Sequence, residues 1–258
     1  KKGDRLLFDF TGCAGQTNIH VDHASTGLSL LCFLGAGHTH VKDGNYRETV
    51  KKGLHWLRSH QDPKGDLRGD ESMYSHAIAT IALSEALGMT ADPQLSLPVR
   101  KAIDFIHRAR DTSVGGWRYD PGQPGDTSVL GWQVMAMKSA GLAGVSVPRE
   151  NWEEASRWLE LVSTPSRPGQ YAYQPGSEPT VTMTAEGMFI QELLGLASSD
   201  ARNQASAKFI AAHPPKWESG VNTYYWYYAT LALFHKQDDQ WKEWNRRLTK
   251  TLLKHQQK

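Results

Sequence analysis

Cysteine is scarce in this chain of 258 residues: Cys13 and Cys32 are its only two. Two thiols cannot form a disulfide framework and lack the paired spacing of a zinc site, although a single bridge stays open. An excess of one charge is also missing, since 29 basic residues stand against 27 acidic ones spread along the sequence. With no basic block, neither nucleic acid nor an anionic membrane surface is expected as a partner. No apolar run approaches the ~20 residues that span a bilayer, and no signal peptide or low-complexity tract is visible. No cofactor is expected. What remains is a balance of 39% hydrophobic and 22% charged residues, typical of a globular protein long enough to bury most of its unfolded surface.

What is present is repetition. A segment ending in glycine returns at Leu34-Gly35, Leu87-Gly88, Ala140-Gly141 and Leu194-Gly195, a period of about 53 residues. Each closes a run of small and apolar residues, such as IATIALSEALG and TAEGMFIQELLG. A second series, Trp56, Phe105, Trp158 and Phe209, falls between them in charged amphipathic segments. Two interleaved series at one period mean a supersecondary unit copied several times. Nothing between the copies reads as a linker, so residues 1–258 are expected to form one domain.

The nearly uncharged segments predict helices at about 24–35, 74–88, 127–141, 182–195 and 223–235. A helix that is apolar or small on nearly every face has neighbours on all sides. The amphipathic segments predict helices at about 46–60, 97–109, 150–162, 201–211 and 239–256. Their apolar residues recur at i, i+3, i+4 (Val50, Leu54, Leu57; Val99, Ile103, Ile106), which leaves one face wet. The expected fold is all-α: an α/α toroid of about five inner and outer helix pairs. Because the sequence opens inside a repeat, an upstream outer helix is expected to be absent and the chain to be a piece of a longer protein. The period also places Glu85, Lys138 and Glu192 at one level, where an ion-pair network is expected.

In such a toroid the inner helices run in parallel, so their amino ends gather at one rim and favour anionic groups. Candidates for chemistry therefore stand at the inner-helix starts. They are Asp22, His23 and His76, with Asp126 in GDTS, and Glu186 one turn into an otherwise apolar helix. If Glu186 faces the interior, burial should raise its pKa as an acid catalyst requires; if it pairs with Arg118 or Gln133, it is scaffolding. Asp126, Thr127 and Ser128 are also the residue types that cap helix amino ends. Tyr74, Trp132 and the run Tyr224, Tyr225, Trp226, Tyr227, Tyr228 are candidate ligand-binding aromatics. Two or three of that run are expected to line the interior.

The outer-helix endings carry a further pattern: KGLHWLRSHQDPKGDL, KAIDFIHRARDTSVGGWRY and, more loosely, SRWLELVSTPSRPGQYAY. These resemble the QW repeats of squalene–hopene cyclases and the related repeats of protein prenyltransferase β subunits. The resemblance covers essentially the whole chain and implies the toroid, with loop aromatics bracing neighbouring units. Residue by residue it implies neither activity. The stretch QPGDTS, Gln123 to Ser128, is similar to the cyclases' DxDDTA motif, but Gly125 stands where the protonating aspartate should be. Asp126 matches the first zinc ligand of the prenyltransferases, yet Ser128 replaces the cysteine and Asn222-Thr223-Tyr224 replaces the histidine. No metal site is expected. The stretch Gly12-Cys13-Ala14-Gly15-Gln16 resembles the thioester motif GCGEQ of complement-type toroids, but without its glutamate.

The expected function is accordingly a binding module that uses the mouth at the inner-helix amino ends. Its ligand would be an apolar or aromatic-stacking small molecule, or a peptide segment. The alternative is an enzyme with rewired chemistry, either isoprenoid cyclase-type or a carbohydrate-active glycosidase or lyase. For the latter, Asp22, Glu71, Asp126 and Glu186 are the available carboxylates.

Overall fold

The computed structural model describes residues 22–218 and 220–256, and the thioester-like stretch at Cys13 lies outside them. Among the described residues, five nearly uncharged helices alternate with five amphipathic ones. The first set is α1 (His23–Gly35), α3 (Met73–Thr90), α5 (Thr127–Leu142), α7 (Val181–Leu193) and α9 (Thr223–Lys236). The second is α2 (Arg47–Ser59), α4 (Pro93–Arg108), α6 (Arg149–Leu161), α8 (Ala201–Ala211) and α10 (Asp239–His255).

The inner helices pack in series, α1 on α3, α3 on α5, α5 on α7 and α7 on α9, and each outer helix packs against the inner helix that precedes it. The architecture is an α/α toroid, and residues of all five inner helices face one central cavity. Burial follows the sequence pattern. Thirteen of the 18 residues of α3 are buried, because it has neighbours on every side, whereas α2 buries only Val50, Leu54 and Leu57. Small residues permit the close inner-helix approach: a Cβ on Gly27 of α1 would lie 2.9 Å from Ile78 of α3.

Two features depart from the sequence expectation. Helix α4 starts at Pro93, four residues early, because the Asp92 carboxylate caps the Gln94 amide at 2.9 Å and proline is tolerated in a first turn. Between α6 and α7 a small hairpin forms from β1 (Ser163–Thr164) and β2 (Arg167–Tyr171). It delivers the Tyr171 ring onto Gly187 of α7, where a Cβ would collide with the ring.

The loops tie neighbouring units together, although the aromatic of the second loop bonds the outer helix of its own unit. Buried Trp117 donates its indole N–H to the Ile106 carbonyl of α4 at 2.7 Å. The amide of neighbouring Gly116 donates to Glu154 of α6 at 2.8 Å. Gln61, at the end of the first such motif, donates to the Pro98 carbonyl of α4 at 3.0 Å.

Candidate functional site

The central cavity measures about 720 Å³. Its wall is mostly apolar: Leu31 from α1, Ile81 from α3, Met135 from α5, Phe189 from α7 and Leu231 from α9 all contribute. Trp132 and Tyr227 also line it, their rings nearly parallel at 7° with centroids 6.1 Å apart. Few polar groups reach the wall. They are Tyr224 and Thr223 at one end, and Glu85, Lys138 and Ser139 further along the helices. Apolar lining with a few placed polar groups is the usual composition of a small-molecule site.

Tyr224 connects the cavity to a chain of hydroxyls crossing four inner helices. The Tyr74 hydroxyl lies 2.6 Å from Ser128 Oγ, which lies 2.5 Å from the Tyr224 hydroxyl. Tyr224 in turn reaches the two Glu186 carboxyl oxygens at 3.1 and 3.2 Å. Glu186 is fully buried. Loss of water raises its pKa well above the ordinary carboxylate value, outweighing the help of the Tyr224 hydroxyl, which favours the protonated acid. Burial likewise raises the Tyr74 and Tyr224 hydroxyls. Space for the carboxyl exists because Gly131 of α5 has no side chain there. Glu186 pairs with neither sequence-predicted partner: Gln133 donates to the Met73 carbonyl at 3.0 Å, and Arg118 lies 3.8 Å from Asp126.

The amino ends of the inner helices are closed to anions by their own caps. Asp22 accepts from the Ser25 amide, Asp126 from Val129, Thr180 from Met183 and Asn222 from Tyr225, at 2.6 to 3.1 Å. Two of these caps are aspartates, so the sites that could attract a ligand anion already hold protein acceptors. Burial raises the Asp126 carboxyl, against the pull of the Val129 amide, the Tyr173 hydroxyl and Arg118. The cavity runs from this end into the carboxyl halves of the other inner helices, where Met89 and Leu142 stand exposed. Its geometry therefore differs from a mouth confined to the amino ends.

Tyr74, Ser128, Tyr224 and Glu186 are joined by hydrogen bonds, and Asp126 is close enough to act electrostatically on Tyr74 and Glu186, while Trp132 and Tyr227 share the cavity wall. His23 and His76 lie apart from that cluster, between the first two repeats. His76 is fully buried: its Nδ1 accepts from the Leu67 amide at 3.0 Å and its Nε2 donates to the Ala102 carbonyl at 3.1 Å. Burial depresses its pKa to about 4. His23 packs on Trp56 at 4.9 Å, with Nε2 3.3 Å from the His60 carbonyl, and burial lowers its pKa as well. Within the aromatic run, Tyr224 and Tyr227 reach the cavity, while Tyr225 and Trp226 face the outer layer. The Tyr225 hydroxyl donates to the His213 carbonyl at 2.7 Å, and Trp226 packs against Trp217.

The expected ion pairing among Glu85, Lys138 and Glu192 does not form. Glu85 accepts from the Ser139 hydroxyl at 2.7 Å, Lys138 donates to the Leu193 carbonyl at 3.2 Å, and Glu192 lies 3.5 Å from His235. Burial raises the Glu192 carboxyl to about 8 despite nearby Lys236. One helical level was legible from the period, but the direction of each side chain was not. Ser128 as the link between two tyrosines had only its capping position as a signal, and Met135 and Ile81 carried none beyond the inner-helix pattern. Among the described residues, no group of three metal-ligating side chains assembles, and no helix is long and apolar enough to cross a membrane.

No family model and no curated protein matches the chain. Solved structures of similar fold exist. The α-1,6-mannanase GH76A of Salegentibacter sp. HEL1_6 superposes with a TM-score of 0.66 at 14% identity, over 92% of this chain and 79% of the mannanase. An inactive variant with two adjacent aspartates replaced, in complex with α-1,6-mannotriose, gives 0.65 at 14% identity over the same shares. A second inactive variant, with α-1,6-mannotetrose, gives 0.64 at 14% identity over 91% and 78%. The resemblance to cyclases and prenyltransferases thus holds at the level of the α/α toroid and does not extend to those enzymes specifically. The only adjacent aspartates in this sequence, Asp238 and Asp239, stand at the start of outer helix α10.

Proposed function

We propose that this toroid is a binding module that takes an elongated apolar molecule into the cavity between its inner helices. The observation that carries the reading is the wall itself: five helices contribute aliphatic and aromatic side chains to a space of about 720 Å³, within the ~300–1,000 Å³ typical of ligand sites. Of the nearby acids, Glu85 on the wall accepts from Ser139 and Glu186, behind Tyr224, is buried with its pKa raised and engaged by that hydroxyl, which suits retention of a ligand better than hydrolysis. An alkyl or isoprenoid chain is the matching class, the latter being the substrate class of the cyclases whose repeats the outer helices resemble.

Fluorescence titration with dodecan-1-ol and hexadecan-1-ol tests this. Saturable one-to-one binding is expected, tightening with chain length because each buried methylene contributes about 0.8 kcal/mol. Met135→Trp, which fills the cavity, should abolish binding while the circular dichroism spectrum is retained. A second reading, an oligosaccharide held without hydrolysis, is favoured by the near-parallel Trp132 and Tyr227 rings and by the mannanase likeness. Binding of α-1,6-mannotriose without binding of either alcohol would replace the first reading with the second.

A further inference from the structure

The cavity wall carries one cation in an otherwise apolar setting. Lys138 sits four residues before the end of α5, half-buried, and its ammonium makes one hydrogen bond, to the Leu193 carbonyl at 3.2 Å. Among the described residues no carboxylate forms an ion pair with it, although two acids stand nearby. Glu85, also on the wall, spends one oxygen on Ser139. Glu192 is buried beside His235 and Lys236, and with its pKa raised to about 8 it is mostly protonated at neutral pH. An ammonium in such a wall without a counter-ion is costly unless something satisfies it.

Lys138 stands toward the carboxyl ends of the inner helices, next to exposed Leu142 and Met89, whereas Tyr224 marks the other end, beside exposed Tyr227. We infer that the cavity binds a long-chain monocarboxylic acid, its carboxylate on Lys138 and its tail running between Met135, Leu231 and Trp132 toward Tyr224. This rests on the binding reading above and adds the head group and the orientation.

Two forces oppose an anion here, and their sizes decide the matter. The carboxyl ends of α5 and α7 carry partial negative charge, which costs an anion about two- to fivefold in affinity. A charge-assisted hydrogen bond from a partly desolvated ammonium is worth about ten- to a hundredfold. The contact with Lys138 wins, and Glu85 limits the gain. With a single cation beside that glutamate, a monoanion matches better than a dianionic phosphate.

The test compares hexadecanoate, hexadecan-1-ol and hexadecyltrimethylammonium, each below its micelle concentration, by displacement of a bound fluorescent alkyl probe. The acid should bind about tenfold or more tightly than the alcohol, with the preference shrinking as salt is added. Lys138→Met should bring the acid down to the alcohol's affinity, and Lys138→Arg should restore the preference, with circular dichroism confirming that both variants fold. Equal binding of acid and alcohol, or an acid preference that survives Lys138→Met, overturns the inference while leaving the cavity reading intact. Tightest binding of the ammonium also overturns it, assigning the head group to Glu85 instead. If none of the three binds, the cavity reading itself fails.

Discussion

The two buried acids and the buried histidines together set a pH dependence of stability that can be worked from the structure. A carboxyl whose pKa is raised in the folded state stabilises fully below its unfolded pKa, and that contribution is lost as pH rises toward the folded value. Glu186, raised well above 4.5, and Glu192, raised to about 8, both behave this way. Histidines whose folded pKa is depressed act oppositely: His76, held at about 4, and His23 and His235, also lowered, add stability as pH rises to the unfolded value of 6.5. Carboxylates held low, such as Asp92 and Asp111, finish titrating below about pH 5 and do not shape the neutral range. The histidines and the acids oppose one another below pH 6.5, and above that only the raised acids act. Each proton bound by the folded but not the unfolded state tilts stability by at most about 1.4 kcal/mol per pH unit, less for Glu192 because solvent reaches the edge of its site. Stability should therefore fall from pH 6.5 to 7.5, by about 1 kcal/mol from Glu192 alone, with Glu186 acting in the same direction. Urea midpoints measured from pH 5 to 8.5 read this directly, and Glu192→Gln should reduce the alkaline slope. A midpoint that rises between pH 6.5 and 7.5, or a Glu192→Gln variant with the unaltered slope, refutes the reasoning.

Other substitutions probe the packing. Gly131→Ala drives a methyl into the Glu186 carboxyl and should cost about 1–3 kcal/mol by urea unfolding, with most of the loss recovered in the double variant with Glu186→Ala. Tyr224→Phe removes the hydroxyl donor to the buried Glu186 and should destabilise by about 1–3 kcal/mol, a loss visible as a lower midpoint at unchanged unfolding slope. For His76, nitrogen NMR should show a neutral ring protonated on Nε2 at pH 6, since Nδ1 accepts the Leu67 amide. A charged ring at that pH would contradict the enclosed site. Trp117→Ala empties a fully buried position and should cost about 3–5 kcal/mol, measured the same way.

The sequence by itself determined the architecture, because the signal it carries is periodic and local. Alternating uncharged and amphipathic segments at one spacing admit few packings, and the ten helices fall within a few residues of their expected bounds. The early start of α4 shows the limit, since there the Asp92 cap and Pro93 decide a boundary that apolar spacing does not mark. A common place at inner-helix starts does not decide which side chains meet: Tyr74, Glu186 and Tyr224 join through Ser128, whereas His23 and His76, also at such starts, lie apart. Tertiary structure alone decided where each side chain points. A shared level on neighbouring helices fixes height along the axis but not rotation about it, so Glu85, Lys138 and Glu192, equivalent by period, find three separate partners. The same rotation sends Tyr227 to the cavity and Trp226 to the outer layer. It also leaves Glu186 against Gly131 rather than Arg118, and that dry contact, which no linear pattern encodes, helps to raise its pKa.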